Sequence, residues 1–251
     1  MLEIPLHRRA PRIYVDAPIP NPGVVELTGS AARHVGAVLR LKAGAAVTVF
    51  NGRGGEYPGE LLTVKKQQAQ VRIRCHDASE REAPWPVCLA LCVSKGAKMD
   101  LSVQKATELG ATRIQPLIGS RSVVRLDSLR AARRRQHWSE IVISASEQCG
   151  RNRLTEIAPV MRFEEWLASD PGAGLKLVFT PQADLPLGHC ESPPATGICL
   201  LIGPEGGFSD PELSAAVARG FQAVTFGART LRAETAAIAG LAAVLALWSQ
   251  T

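Results

Sequence analysis

No stretch of this chain is apolar for long enough to cross a bilayer. The longest apolar run, residues 236–248, has 13 residues, whereas a spanning helix needs about 20. It reads instead as a buried helix. The opening MLEIPLHRRAPR is basic but no apolar segment follows it, so it is not a secretory signal. The six cysteines, at 75, 88, 92, 149, 190 and 199, form no C-x-x-C pair, and the five histidines give no H-E-x-x-H spacing. A zinc site is therefore not expected, and reduced thiols in a cytoplasmic protein are the simplest reading. Also missing are the phosphate loop G-x-x-x-x-G-K-[ST] and the dinucleotide fingerprint G-x-G-x-x-G. The second absence disfavours a nicotinamide dehydrogenase.

What is present is a chain of 251 residues, 46% hydrophobic. That suits a small domain plus a medium one, each with a core. The net charge is +6, supplied mostly by arginine. Arginine forms bidentate contacts with phosphate and stacks on bases, so the balance is compatible with a polyanionic partner.

Residues 1–78 read as a small β-rich domain. Segments 12–15, 46–50, 60–64 and 69–74 have strand character, NGRGG at 51–55 is a turn, and 30–39 is a short helix. Residues 79–86, charged and holding two prolines, read as a linker. From Val87 the pattern changes. Residues 87–93 form an apolar run of strand length, as in a strand buried on both faces. Helix 100–109, strand 113–118, helix 128–148 and strand 175–179 follow. Strand 198–202, helix 210–219, strand 223–226 and helix 234–249 complete the alternation. Residues 87–251 are thus an α/β domain with a mostly parallel sheet.

The sharpest motif is LLIGPEGGFS, residues 200–209. An apolar strand runs into a glycine-rich loop, and Ser209 or Asp210 caps the next helix. Glycines let the backbone approach a ligand closely, at the strand ends where open α/β sheets bind ligands. Glu205 disfavours a phosphate there. A tight structural turn would use the same glycines.

The second motif is FGARTLRAETA, residues 226–236, a polar loop leading into the buried helix. Arg232 and Glu234 are either a surface pair capping that helix or working groups. The third, SASEQCGR at 144–151, puts Ser144, Gln148 and Arg151 on one helical face. Its polar residues also suit an ordinary helix end. The fourth is a run of arginines at 121, 125, 130, 133, 134 and 135, after Lys95 and Lys98. It is a solvated face or a footprint for a nucleic-acid backbone.

Several blocks in order resemble one family. They are RHVGAVLRL from Arg33, FNGRGGEY from Phe50, SKGAKMDLSVQKATELGATRIQPL from Ser94, SASEQCGR, LLIGPEGGFS and GARTLRAETA. They are similar to the bacterial methyltransferases that modify N3 of a uridine in 16S ribosomal RNA, a branch of the knotted SPOUT enzymes. The resemblance implies a PUA-like RNA-binding β-barrel over 1–78 and a trefoil-knotted methyltransferase domain over 87–251. It implies a homodimer, with ribosomal RNA or the small subunit as partner and no membrane.

S-adenosylmethionine is the implied donor, with no metal. The implied donor contacts are Thr180, Ile202, Gly203, Glu205, Gly206, Gly207, Gly227, Leu231, Arg232 and Ala233. RNA contacts are implied at Arg12, His34, Arg40, Lys95, Lys98, Arg121 and Arg125. The start of the chain departs from the family pattern, and Arg12 is its best match to the usual arginine–aromatic pair. Uracil N3 must lose a proton before it is methylated. Glu234 or Glu147 would accept it, Arg232 and Arg151 would stabilise the uracil oxygens, and Gln148 would orient the base. A transfer-RNA substrate and a non-catalytic assembly factor are the rival readings.

Overall fold

A computed structural model describes residues 10–124, 127–170, 172 and 174–249. The chain divides into two compact units. The first runs to Arg81 and includes Ser146–Arg153; the second comprises Glu82–Ala145 and the chain from Leu154 on.

The first unit is built on five strands: β1 (Arg12–Tyr14), β2 (Gly23–Thr28), β3 (Ala46–Phe50), β4 (Tyr57–Val64) and β5 (Gln68–Ile73). Their order in the sheet is β1-β3-β4-β5-β2. The β1–β3 pair is parallel and the others are antiparallel. Alternation sets the buried face: Val25 and Leu27 of β2, and Ala69, Val71 and Ile73 of β5, point into one core with Ile13, Val47, Val49 and Leu61. Helix α1 (Gly29–Arg33) continues as a π-helical turn over His34–Val38, where the sequence predicts one helix from 30 to 39.

Among its described residues the second unit carries eight strands: β6 (Val87–Cys92), β7 (Arg113–Ile118), β8 (Glu156–Ile157), β9 (Met161–Arg162), β10 (Leu175–Phe179), β11 (Leu185–Pro186), β12 (Ile198–Ile202) and β13 (Gln222–Thr225). The order is β11-β13-β10-β12-β6-β7-β8, with β9 also on β7. Every pairing is parallel. The helices are α2 (Ala97–Glu108), α3 (Ser128–Cys149), α4 (Phe163–Ala168), α5 (Asp210–Ala218) and α6 (Ala233–Trp248).

The central strand β12 is buried at all five residues. Leu200 and Ile202 face a core with Leu89, Leu91, Trp138, Val142 and Leu241, while Cys199 and Leu201 face a second core with Phe163, Trp166 and Phe221. A strand between two cores needs apolar residues on both faces, which explains the unbroken run ICLLI. Helix α3 stops at Cys149, and Gly150 follows with φ +93°. The helical face predicted to carry Ser144, Gln148 and Arg151 therefore does not extend to Arg151, which lies beyond the helix.

Candidate active site

Three neighbouring parallel strands, β13, β10 and β12, end side by side, and the loops that leave them form a cleft of about 330 Å³. Strand β12 delivers Gly203. A methyl group at Gly203 would come within 3.0 Å of the Phe208 ring, so only glycine lets the loop fold back this tightly. The Gly207 N–H donates to the Pro204 carbonyl at 2.9 Å, and Gly207 has φ +69°. Phe208 is anchored on Phe163, with ring centroids 5.4 Å apart. Strand β10 delivers Phe179 and Thr180. The Thr180 N–H donates to the Val224 carbonyl at 3.0 Å and its hydroxyl bonds Gln182. Strand β13 delivers Phe226, whose ring stacks on Phe179 at 4.6 Å and 12°. Gly240 of α6 lies against both rings, for a Cβ there would meet them at 3.3–3.5 Å.

Of the predicted donor contacts, Thr180, Ile202, Gly203, Glu205, Gly206, Gly207, Leu231 and Ala233 line this cleft; Gly227 and Arg232 do not. Phe179, Gln182, Phe226 and Arg229 line it as well and are not among the expected donor contacts. The stacked rings could have been suspected, since each is the aromatic at or just beyond a strand's carboxyl end. Glu205 sits exposed at the rim, paired with Lys98 of α2. The Lys98 hydrogen bond and its charge hold the Glu205 pKa below its ordinary value. Arg121 also lines the cleft, where its guanidinium Nη1 donates to the carbonyls of Gly206 at 3.1 Å and Phe208 at 3.3 Å.

The first turn of α6 adjoins the cleft through Ala233 and Ala236. Glu234 lies between them in sequence, only 8% exposed, and its Oε2 is buried without a hydrogen-bond partner among the described residues. Arg232 is exposed, forms the extended N-cap of the helix, and caps it with no side-chain hydrogen bond. No ion pair joins Arg232 to Glu234 among the described residues, so the surface-pair alternative is not the arrangement found.

The other predicted catalytic residues belong to the first unit. Glu147 accepts the Tyr14 N–H at 3.0 Å and faces His34 Nδ1 at 3.7 Å. Burial raises its pKa, partly offset by the Tyr14 hydrogen bond and by the charges of His34 and Arg12. Gln148 is exposed and Arg151 buried. The cleft lining includes none of these three.

Arg12, predicted to meet RNA, is held inside the same unit. It pairs with Glu56, donates to the Arg151 carbonyl at 3.1 Å and to Asn152 Oδ1 at 2.6 Å, and lies over the Phe50 ring. His34 is half-buried against Glu147, while Arg40 is exposed. Lys95 is exposed on a basic hollow of the second unit, lined also by Arg130, Arg133, Arg134 and His137. Arg130 is paired with Asp127, and His137 with Asp100. Arg125 lies outside the described residues.

Sequence reasoning missed Glu212, in the first turn of α5. It is 5% exposed and accepts four hydrogen bonds, from the N–H and hydroxyl of Ser120 at 2.7 and 2.8 Å and of Ser209, both at 2.8 Å. Burial by itself would raise its pKa, but these bonds outweigh it and the net shift is downward. The signal was legible: Ser209 followed by Glu212 is the S-x-x-E capping box.

A parallel sheet with a glycine-lined cleft at its carboxyl edge is the architecture of an α/β protein that binds a small ligand there. Residues 81–245 match the family model described as RNA methyltransferase domain, and residues 27–74 match that of the RNA methyltransferase PUA domain. The ribosomal RNA small subunit methyltransferase E of Buchnera aphidicola from Schizaphis graminum is 32% identical over 239 residues, covering 95% of this chain and 97% of that protein. The chain belongs to this family of ribosomal RNA small subunit methyltransferases E, as its sequence blocks implied. A methyltransferase of Legionella pneumophila, solved with bound S-adenosylmethionine, superposes with a TM-score of 0.90 at 37% identity over 95% of this chain and 98% of that one. The methyltransferase E of Neisseria gonorrhoeae, also bound to S-adenosylmethionine, gives 0.89 at 37% identity over 96% and 98%.

Proposed function

We propose that this protein methylates N3 of a specific uridine in 16S ribosomal RNA, with S-adenosylmethionine held between loop 203–207 and turn 231–236. The observation that carries the reading is the cleft at the ends of β10, β12 and β13, beside a buried carboxylate with an unbonded oxygen. The cleft suits such a donor. Its volume is at the lower end for small-molecule sites, stacked phenylalanines give it an apolar wall, and glycines offer backbone groups. Bound there, the donor supplies an electrophilic methyl group.

The residues of the chain supply the rest. A buried carboxylate oxygen without a partner costs about 1–3 kcal/mol or more, so its retention at Glu234 points to use. Glu234 takes the uracil N3 proton, and Arg232, exposed beside it in the chain, stabilises the negative charge that develops on the uracil oxygens. The remaining donor contacts come from Thr180, Ile202, Leu231 and Ala233, with Gly227 allowing the preceding turn. Glu147, whose oxygens already face Tyr14 and His34, is the lesser candidate for the base. Gln148 and Arg151 remain proposed partners of the target base. Since N3 lies on the Watson–Crick edge, the uridine must be unpaired.

RNA backbone contact is proposed for Lys95 and Lys98, the hollow lined by Arg130, Arg133 and Arg134, and Arg40 and His34 of the first unit. Residues 1–78 would act as the RNA-binding barrel and 79–86 as the linker. The family resemblance supports a trefoil knot within 87–251 and a cytoplasmic homodimer. Exposed Leu101 and Leu247, on the packed helices α2 and α6, offer an apolar face for the dimer.

The test is transfer of labelled methyl groups to small subunits, naked 16S ribosomal RNA and transfer RNA, with primer-extension mapping. One modified uridine in 16S RNA is the expected result. Label in transfer RNA, or RNA binding with no donor binding, would overturn it.

A further inference from the structure

Loop 203–207 has three glycines among its five residues. Glycine loses more conformational freedom on ordering than any other residue, so such a loop, left to itself, would have to be ordered at each binding event. Something must hold it beforehand if the cleft is to be ready-made.

The structure shows two attachments, both to the segment that follows β7. On one side, Glu212 joins Ser209, at the loop's exit, to Ser120. Oε1 accepts the Ser120 N–H, while Oε2 accepts the Ser120 hydroxyl and both Ser209 donors. The two serine hydroxyls also approach each other at 3.4 Å. The Ser120 segment is tied down in turn by the Gly119 N–H, which donates to the Ser122 hydroxyl at 2.9 Å. On the other side, Arg121 reaches across to the Gly206 and Phe208 carbonyls. Gly206 also packs on the Arg121 stem, for a Cβ there would sit 3.5 Å from Arg121 Cβ. Neighbouring residues of one segment thus grip both the middle and the end of the glycine loop.

We propose that Glu212 and Arg121 are positioning residues that clasp the donor loop and preform the cleft. Arg121, which its position in a basic run marks as an RNA contact, acts on the donor side instead. The inference rests on the donor-cleft reading above. The two residues differ in a useful way. Glu212 is buried and its bonds also cap α5, so its loss affects folding. Arg121 is exposed, so its loss affects the loop and little else.

The experiment measures three quantities on the full chain: calorimetric affinity for S-adenosylmethionine, affinity for 16S RNA at saturating donor, and melting temperature. For Arg121→Ala the expected result is donor affinity weaker by about 10-fold or more, the scale of losing hydrogen bonds from a charged group. RNA affinity and melting temperature stay at the wild-type value, and the turnover rate recovers at saturating donor. Arg121→Lys, a point charge without the planar fork, restores part of the loss. Glu212→Gln turns amide donors toward donors, and weakens donor binding together with the melting temperature. Donor affinity within twofold of wild type for Arg121→Ala, with RNA affinity reduced, would overturn the clasp and return Arg121 to the RNA surface. Wild-type protein that binds no donor would overturn the donor-cleft reading itself, and the clasp with it.

Discussion

Helices α5 and α6 begin in the same way and treat the buried glutamate of their first turn differently. Each follows a turn at the carboxyl end of a strand, and each carries a buried glutamate in its first turn, where the helix dipole favours negative charge. At α5, Ser209 stands three residues before Glu212, closing a capping box, and Ser120 comes in from another segment, so both carboxylate oxygens are bonded. At α6, the N-cap is Arg232, which makes no side-chain cap hydrogen bond, and Glu234 keeps a buried oxygen without a partner among the described residues. Two acids of similar burial therefore differ in their hydrogen bonding. A saturated carboxylate fixes geometry, whereas an unsatisfied one has an oxygen left to bond. The contrast comes from the neighbouring residue types and not from the helices themselves.

The sharpest way to break the comparison is Glu234→Gln. On the proposed base role, this change should lower single-turnover methyl transfer by about 10²–10⁴-fold, while the melting temperature stays near that of wild type, because the buried oxygen that is replaced makes no hydrogen bond among the described residues. Full activity across the pH range would show that Glu234 is only a second structural acid. Next in size is Gly203→Ala. The added methyl would press on a Phe208 ring already seated on Phe163, an overpacking that costs about 1–3 kcal/mol. Thermal unfolding should show that loss, accompanied by weaker donor binding. A variant as stable as wild type would mean the loop is looser than its contacts imply.

Smaller, but of opposite sign, are the pH effects of two acids, one buried and one half-buried. Glu212 has a folded pKa below its ordinary 4.5, so its stabilisation is present above 4.5 and lost as pH falls through the lowered value. Glu147 has a folded pKa above 4.5, chiefly from burial, so its contribution is largest below 4.5 and is lost as pH rises through the raised value. Melting curves over this acid range should show Glu212→Gln removing part of the acid-side loss. Glu147→Gln should remove part of the loss on the other side. Profiles of the two variants that parallel wild type would contradict both assignments.

Much of the second unit was legible in the sequence because its signals are local. Strands β6 and β12 are unbroken apolar runs, and the loop at 203–207 announces itself through its glycines. In the first unit, β2 was missed although Val25 and Leu27 alternate with exposed neighbours, because Pro20, Pro22 and Gly23 mark the same stretch as loop. Strands β8 and β9 have two residues each, and pairing with β7 defines them more than any preference of their own. At the site, the glycines and Glu234 could be read in place. The partners of Arg121 could not, since they are backbone carbonyls 85 and 87 residues away and a carbonyl leaves no mark on the sequence. A basic run looks the same whether its arginines face solvent, RNA or the chain itself.

Lys98 supplies the smallest predicted effect and bears on this same ambiguity. It pairs with Glu205, but both side chains are well exposed, at 38% and 43%, and exposed pairs gain little once solvent screens them and two long side chains are ordered. Lys98→Ala should leave the melting temperature unchanged. If Lys98 contacts phosphate in the complex, the variant should bind 16S RNA more weakly, and the slope of log affinity against log salt should become shallower by about one ion. If instead the pair serves the donor loop, the salt slope stays fixed and only donor affinity changes. Arg121 would then act on the donor loop through carbonyls and Lys98 through a carboxylate, leaving Lys95 and the hollow around Arg133 to carry the RNA backbone.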